Sequence, residues 1–271
     1  MFRHAENADM ERLLGYLQRE PEFNLFIIGD IMNRGLGSDV IDVFVGERGR
    51  AIECVLLRYR TSLIPYAHDL TADLSECEQK LSHYLRQGGD WTVSGRSEIV
   101  ARIQSLLAVH PASERDLFFC VCRRLRAEVH LTQLPLVWIA GPADAREVLN
   151  LLGSIAEFEG PRLSEDEFRE ETEGGTRVTA LIRDPLSGEV VSAASSVAES
   201  DASAMILGVA TRPDHRNKGY ASACVYRLVK DLERKGKSAC LFFNNPAAGN
   251  IYHRLGFMDI GMWRILRFPV S

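Results

Sequence analysis

Apolar residues along the chain recur at two spacings. Over residues 8–19 and 22–33 they return every three or four positions (Met10, Leu13, Leu14, Leu17; then Leu25, Ile28, Ile31), the stripe of amphipathic helices. Ile41–Val45 and Ala51–Leu57 are short strand-like runs, and Gly46-Glu47-Arg48-Gly49 between them reads as a hairpin turn. Arg58–Tyr66 follows without an assignment. A helix is predicted around 73–87, stopped by Gly88-Gly89. A strand (Trp91–Val93), a helix (about 97–108) and a strand (Leu117–Cys122) complete the first half.

Residues 124–133 are polar and read as a connector, after which the order repeats. Leu136–Ala140 is strand-like, and helices are predicted near 143–157 and 164–173. Ser164 with Glu167 three residues on forms a capping-box pattern at the start of the second. Thr176–Ile182 and Val190–Val197 flank Asp184-Pro185-Leu186-Ser187-Gly188, a second hairpin signal. Ala204–Val209 is a further strand. The helix of about 218–235 carries Ala221, Val225, Leu228 and Leu232 on one face and stops at Gly236. A strand (Ala239–Phe243), a short helix (about 246–255) and a closing strand or hairpin (Met258–Phe268) end the chain. The repeated order points to a tandem duplication: an N-terminal domain over 1–126, a connector over 127–133 and a second domain over 134–271.

Composition narrows the function. With 271 residues, 46% of them hydrophobic, the chain can bury a large core. A net charge of −5 argues against a general nucleic-acid binder. No apolar run is long enough to span a bilayer, and the polar N-terminus does not look like a signal or transit peptide, so a cytoplasmic protein is expected. Six cysteines show no C-x-x-C spacing; Cys120 and Cys122 share one strand face and read as small buried residues rather than metal ligands. No metal is called for.

Against this acidic background one basic cluster stands out. Val209–Ala221 reads V-A-T-R-P-D-H-R-N-K-G-Y-A, between an apolar strand and an amphipathic helix. A helix start leaves backbone N–H groups without partners and carries partial positive charge. Gly219 removes the side chain where a ligand would approach the backbone, and Arg212, Arg216 and Lys218 add charge. The combination suits a phosphate or pyrophosphate on a helix N-terminus. Two other phosphate loops are excluded: no G-x-x-x-x-G-K-[ST] occurs, and Gly35-Leu36-Gly37 has no third glycine at Val40. The first half has no counterpart of R-N-K-G-Y-A, since its third helix is approached through R-Y-R-T-S-L-I-P-Y-A-H-D.

At Val209, Thr211, Pro213, Arg216, Gly219 and Ala221 the sequence resembles the GNAT superfamily of acyl-CoA-dependent N-acyltransferases. A second block, N-P-A-A-G-N-I-Y-H-R-L-G-F, resembles the family at Asn245, Ala248, Tyr252, Gly256 and Phe257. The resemblance covers about half the chain, from the connector onward, and the tandem arrangement is similar to glycine-N-acyltransferase-like proteins. It implies an α/β fold of two GNAT-like domains, each a mixed sheet flanked by helices, the first degenerate. It also implies acetyl-CoA, or another short acyl-CoA, as cosubstrate. The backbone of Val209 and Thr211 would then hold the pantetheine arm as an added strand. The amides of Arg216, Asn217, Lys218, Gly219, Tyr220 and Ala221, with the Ser222 hydroxyl, would hold the pyrophosphate. Asn217 stands where glycine is common, but asparagine tolerates unusual backbone angles. Asn245 would contact the cofactor, and Tyr252 would sit near the thioester sulfur as the acid for the leaving thiolate.

Rival readings accompany each residue. Tyr252 could be a core aromatic beside Leu255, and its place in the second block tips it toward catalysis. Arg216 and Lys218 could line a solvated turn. His215 and His253 read as exposed surface. No general base is legible: Glu157, Glu159, Glu199 and Asp201 are candidates that each read more simply as solvated carboxylates. The acceptor cleft is expected to involve Phe158–Leu163, a Gly261–Trp263 turn and a surface of the N-terminal half. The expected activity is acetylation of a primary amine on a small molecule or amino acid, since no charged tract advertises a macromolecular partner. Protein N-terminal or lysine acylation and a non-catalytic CoA-binding module are the alternatives. A homodimer is compatible with all three.

Overall fold

In the computed structural model, which describes residues 1–126, 131–155 and 163–269, helices and strands form where the apolar spacing changes from three or four to two. The first half runs β1 (Phe2–His4), α1 (Met10–Leu17), α2 (Leu25–Arg34), β2 (Ile41–Arg48), β3 (Ala51–Tyr59), β4 (Ser62–Tyr66), α3 (Ser75–Leu85), β5 (Trp91–Arg96), α4 (Ser97–Leu106) and β6 (Ser113–Cys122). The second runs β7 (Trp138–Ile139), α5 (Ala145–Gly153), α6 (Glu165–Glu173), β8 (Val178–Arg183), β9 (Val190–Val197), β10 (Ser203–Thr211), α7 (Tyr220–Arg234), β11 (Ser238–Phe243), α8 (Pro246–Leu255) and β12 (Met258–Phe268). No helix among the described residues is long and apolar enough to cross a membrane.

The chain divides into two compact units, Met1–Phe119 with Ile260–Ser271, and Cys120–Asp259. The boundaries differ from those expected. They fall inside β6 and inside β12 rather than at residues 127–133, of which 127–130 lie outside the described residues. The reason is strand pairing: Trp263–Phe268 of β12 pairs antiparallel with Trp91–Arg96 of β5, so the last residues count with the first unit. Gly261–Trp263 is accordingly strand rather than a turn, and Trp263 is buried against Phe26 and Phe119.

Each unit is a mixed sheet flanked by helices, and the pairing repeats. In the first, β1, β2, β3 and β4 pair antiparallel in succession and β4 pairs parallel with β5. In the second, β7, β8, β9 and β10 do the same, and β10 pairs parallel with β11. A parallel pair needs a crossover, which α3 with its approach supplies in one unit and α7 in the other. Two strands of the first unit escaped the pattern reading. β1 is only three residues long, and β4 carries Pro65 beside a polar approach. Gly46 is also not a turn residue. It lies in β2 at a register shift, because a Cβ there would sit 2.4 Å from the Cys54 sulfur; the turn tightens to Gly49-Arg50.

The second unit packs α7 through Ala223, Cys224, Val225, Leu228, Val229 and Leu232 onto β8, β9 and β10. Below it the C-terminal block of the motif closes the core. Gly256 ends α8 with φ +115°, and Phe257, only 2% exposed, drops into the core beside Tyr252. A Cβ on Gly256 would lie 2.8 Å from the carbonyl oxygen of Arg124. Left-handed backbone disfavours any L-side chain by about 1–2 kcal/mol, and this overlap adds to it. Gly256→Ala is therefore expected to lower the melting temperature by about 4 °C or more, at about 2–4 °C per kcal/mol in a chain of this size. A thermal melt that superposes on wild type would refute this account of the cap.

Candidate active site

The second unit holds a wedge built from backbone. β10 and β11 pair only from Ser203↔Ser238 to Ile206↔Leu241. Beyond Ile206, β10 remains paired with β9 but carries a bulge: Leu207 faces Ser195 and Ala210 faces Ala193, so three steps along β10 match two along β9. Gly208 sits in the bulge at φ +61°, which glycine adopts without strain. The bend turns β10 away from β11, and from Leu207 to Thr211 no strand among the described residues covers the side that faced it. Leu207 is 39% exposed in mid-strand. Val209 and Thr211 lie on this uncovered stretch. Val209 rests on the core, and Thr211 is anchored by its hydroxyl, 2.8 Å from the Ser192 hydroxyl.

The wedge opens toward the start of α7. A single turn, Pro213–His215, leads into Arg216, after which Asn217 takes φ +63° and Gly219 φ +80°. Asn217 thus adopts the left-handed angle that a glycine there would supply. Gly219 is the N-cap of α7 and offers no capping side chain. Among the described residues the amides from Asn217 to Ser222 find no hydrogen-bond acceptor, while Ala223 N already donates to Gly219 O at 3.0 Å. Successive unpaired N–H groups at a helix start form a concave anion nest with the positive end of the helix dipole behind it. All the cradle positions read from sequence (Arg216, Asn217, Lys218, Gly219, Tyr220, Ala221 and Ser222) lie on this one loop and first turn.

Side-chain charge is sparser than the sequence implies. Arg212 pairs with Asp214 and Glu189. Arg216 turns its Nε to the Thr211 carbonyl at 3.3 Å, so that carbonyl is already engaged. Lys218 is exposed and has no ion-pair partner among the described residues. His215 is not the exposed residue expected from sequence: its side chain is 13% exposed and lies 3.0 Å from both Asp184 and Asp214. The missed signal was the hairpin turn carrying Asp184, which pairing of β8 with β9 brings beside this loop. His253 does sit at the surface, 2.8 Å from Asp259.

On the other side of the wedge, α8 begins at Asn245-Pro246. The Asn245 side chain accepts from Ala247 N at 2.9 Å, capping the helix, with Pro246 in the first turn where its missing N–H costs nothing. Tyr252, 5% exposed, packs its ring 5.8 Å from Phe243 and 5.9 Å from Phe257. It is a core aromatic and a buried phenol together. Burial pushes its pKa well above the ordinary phenol value, so the group is a protonated donor at any working pH.

The other candidates scatter. Glu199 lies at the far end of β10, paired with Lys235 and Lys237 at 3.0 and 2.8 Å. Burial pushes its pKa up, but the two lysines outweigh this and hold it below the usual range. Asp201 is exposed in the same turn. Glu157, Glu159 and 158–162 of the expected acceptor loop lie outside the described residues. Among the described residues no cluster of ligand side chains could hold a metal ion.

The first unit shows what the same topology looks like without a nest. The approach to α3 has no left-handed residue between Ala67 and Leu74, and Asp73 accepts from Ser75 N and Oγ at 2.9 and 2.7 Å. The helix start is thus occupied by a carboxylate of the chain itself. Beside it, a Cβ on Gly95 of β5 would lie 3.0 Å from the Pro65 carbonyl of β4, so those strands stay close where β10 and β11 part.

All six cysteines are buried, and none is in a disulfide. Burial raises the thiol of Cys122 to about 11 and of Cys224 to about 12, and lifts Cys120 further. None lies on the nest. The folded protein is expected to resist a thiol-specific disulfide reagent at pH 7.5 over minutes, while guanidinium exposes all six groups. Rapid labelling of the folded chain would contradict this packing.

Comparison with known proteins agrees with the geometry. Residues 145–257 match the family model described as the acetyltransferase (GNAT) family. No curated protein matches the sequence. Among solved structures, a Drosophila protein superposes with a TM-score of 0.73 over 98% of each chain at 15% identity. A GCN5-related N-acetyltransferase from Sphaerobacter thermophilus gives 0.62 over 98% of this chain and 94% of its own at 16% identity. A tandem GNAT protein from the clavulanic acid biosynthesis pathway gives 0.59 over 100% and 99% at 12% identity. These likenesses are of fold, and the last extends it to the tandem arrangement. Wedge, bulge and nest all fall within residues 145–257, the segment that matches the acetyltransferase (GNAT) family model.

Proposed function

We propose that the second unit binds acetyl-CoA, or another short acyl-CoA, and transfers the acyl group to a primary amine by direct attack in a ternary complex. The observation that carries this reading is the run of unpaired amides from Asn217 to Ser222 at the open end of the wedge. A pyrophosphate seated there would receive several N–H bonds and the helix dipole at once, and Lys218 adds a mobile charge. The pantetheine arm would lie along Leu207–Thr211 and pair with backbone that the bulge leaves uncovered. Asn245 would border it from the start of α8.

The chemistry follows from what the wedge offers. A neutral amine attacks the thioester carbonyl, and holding both reactants in one cleft supplies much of the acceleration. A backbone amide near Val209, where the bulge frees β10 from β11, would stabilise the developing oxyanion. The departing sulfur takes a proton from the Tyr252 phenol, which its burial keeps protonated; the proton that the attacking nitrogen gives up passes to water, and water returns one to the phenolate. A small-molecule or amino-acid amine is favoured as acceptor, because no described surface tract is strongly enough charged to advertise a polymer.

Titrating acetyl-CoA calorimetrically into wild type and Gly219→Glu tests the donor site. Wild type is expected to bind and the variant to lose binding, since a carboxylate would enter the anion nest and glycine's left-handed angle would be strained. A folded wild type that takes up no acetyl-CoA would refute the reading. Tyr252→Phe keeps the ring packing and removes only the hydroxyl. With an accepted amine it is expected to lower kcat by about 100-fold or more while the KM for acetyl-CoA changes little. An unchanged kcat would remove Tyr252 from the mechanism.

A further inference from the structure

One ionisable side chain beside the nest has no part in that chemistry. The imidazole of His215 directly precedes Arg216 and Asn217, and its ring stacks on Tyr220, the first residue of α7, at 6.4 Å and 27°. Its Nε2 lies 3.0 Å from Asp184 Oδ2 and its Nδ1 3.0 Å from Asp214 Oδ1. The first is a hydrogen bond; the second is an ion-pair contact that lacks hydrogen-bond alignment.

Asp184 is itself fixed. Its Oδ1 accepts from Leu186 N and Ser187 N at 2.9 Å each, and its backbone closes the β8–β9 turn through Glu189 O and Gly188 N. A second tie runs alongside, since Arg212 bridges Glu189 of that turn to Asp214. The loop entering the nest is therefore strapped to a rigid hairpin at two points, one permanently charged and one titratable.

We propose that His215 is a positioning residue for the acyl donor: as an imidazolium it clasps Asp184 and Asp214 and holds the following loop in the geometry that aims the Asn217–Ser222 amides at one point. The inference rests on the donor-site reading above. A neutral ring can donate to only one carboxylate, leaving the other facing it without a donor. The charged groups facing the ring are Asp184 from the β8–β9 turn, Asp214 from its own loop, and Lys218 from the nest, with Arg212 on the far side of Asp214. The carboxylates of Asp214 and Asp184 against its two ring nitrogens raise the imidazole's pKa above its ordinary value, against a smaller opposing push from Lys218. The sign follows: the clasp is complete below the raised pKa and loosens as pH rises through it, so donor affinity should fall toward alkaline pH.

The test is calorimetric binding of acetyl-CoA from pH 6.5 to 9 to wild type, His215→Gln and Asp184→Asn, with melts at each pH to confirm folding. Glutamine keeps one donor and cannot charge. Wild type is expected to bind about tenfold more tightly than His215→Gln at the acid end and to converge on it at the alkaline end. Asp184→Asn should flatten the profile in the same way. The ratio between proteins cancels any titration of the ligand. Equal affinity of wild type and His215→Gln throughout would overturn the clasp while leaving the donor site standing. A constant ratio across the range would also overturn it, because a merely structural role does not titrate. Absence of binding to folded wild type at every pH would overturn the donor site and the clasp together.

Discussion

The site depends on the ending of one parallel strand pair. β10 and β11 share four residue pairs and then part, because a glycine at φ +61° inserts a bulge that only the β9 side of β10 absorbs. Had the pairing continued, Leu207–Thr211 would have spent its backbone groups on β11, and α7 would have started over a closed sheet. The bulge instead leaves extended backbone exposed beside a core that is otherwise fully packed. Position does the rest: the strand that bends away is the one that runs into the nest. An extended acyl carrier and its anionic head would thus meet consecutive segments of chain.

The first unit is the internal control for this view. Its strands pair in the same order and senses, and its crossover helix starts at the equivalent place. Yet Asp73 fills the helix start and the Pro65–Gly95 approach keeps the strands together. A carboxylate held 2.9 Å from Ser75 N satisfies the same dipole that an external anion would. The fold is shared; the site is a matter of a few residues laid on it.

Much of this was legible in the sequence, and the gaps have physical causes. The nest was readable because it is local: V-A-T-R-P-D-H-R-N-K-G-Y-A fixes its own backbone through one proline, one asparagine and one glycine. The Ser164–Glu167 capping box was readable for the same reason, and both of its hydrogen bonds form. What was missed is non-local. Gly208 sits in an apolar run that looks like plain strand, and only the register against β9 reveals the bulge. His215 looked like surface because Asp184 is distant in sequence and arrives through hairpin pairing. The pairing of β12 with β5, which sends the last residues to the first unit, has no signature in the strand's own composition. Tyr252 shows why rival readings need not exclude one another, since a ring packed in the core leaves its hydroxyl free to take the role proposed for it.

The charge pattern carries one more consequence. The loop before α7 is rich in basic residues, yet most of that charge is committed within the protein: Arg212 to Glu189 and Asp214, His215 to two aspartates, and the Arg216 Nε to a carbonyl. These side chains shape the nest more than they fill it with charge. What an anion would face there is mainly backbone N–H, with Lys218 as a mobile addition. Backbone donors are fixed by φ and ψ and lose little entropy on binding, whereas a long cationic side chain must be ordered each time. A nest of amides would therefore hold an anion at a smaller ordering cost than a cluster of long cationic side chains. Positive potential in an acidic chain can thus be made locally by the direction of the backbone, with the nearby acids Asp184 and Asp214 holding that direction.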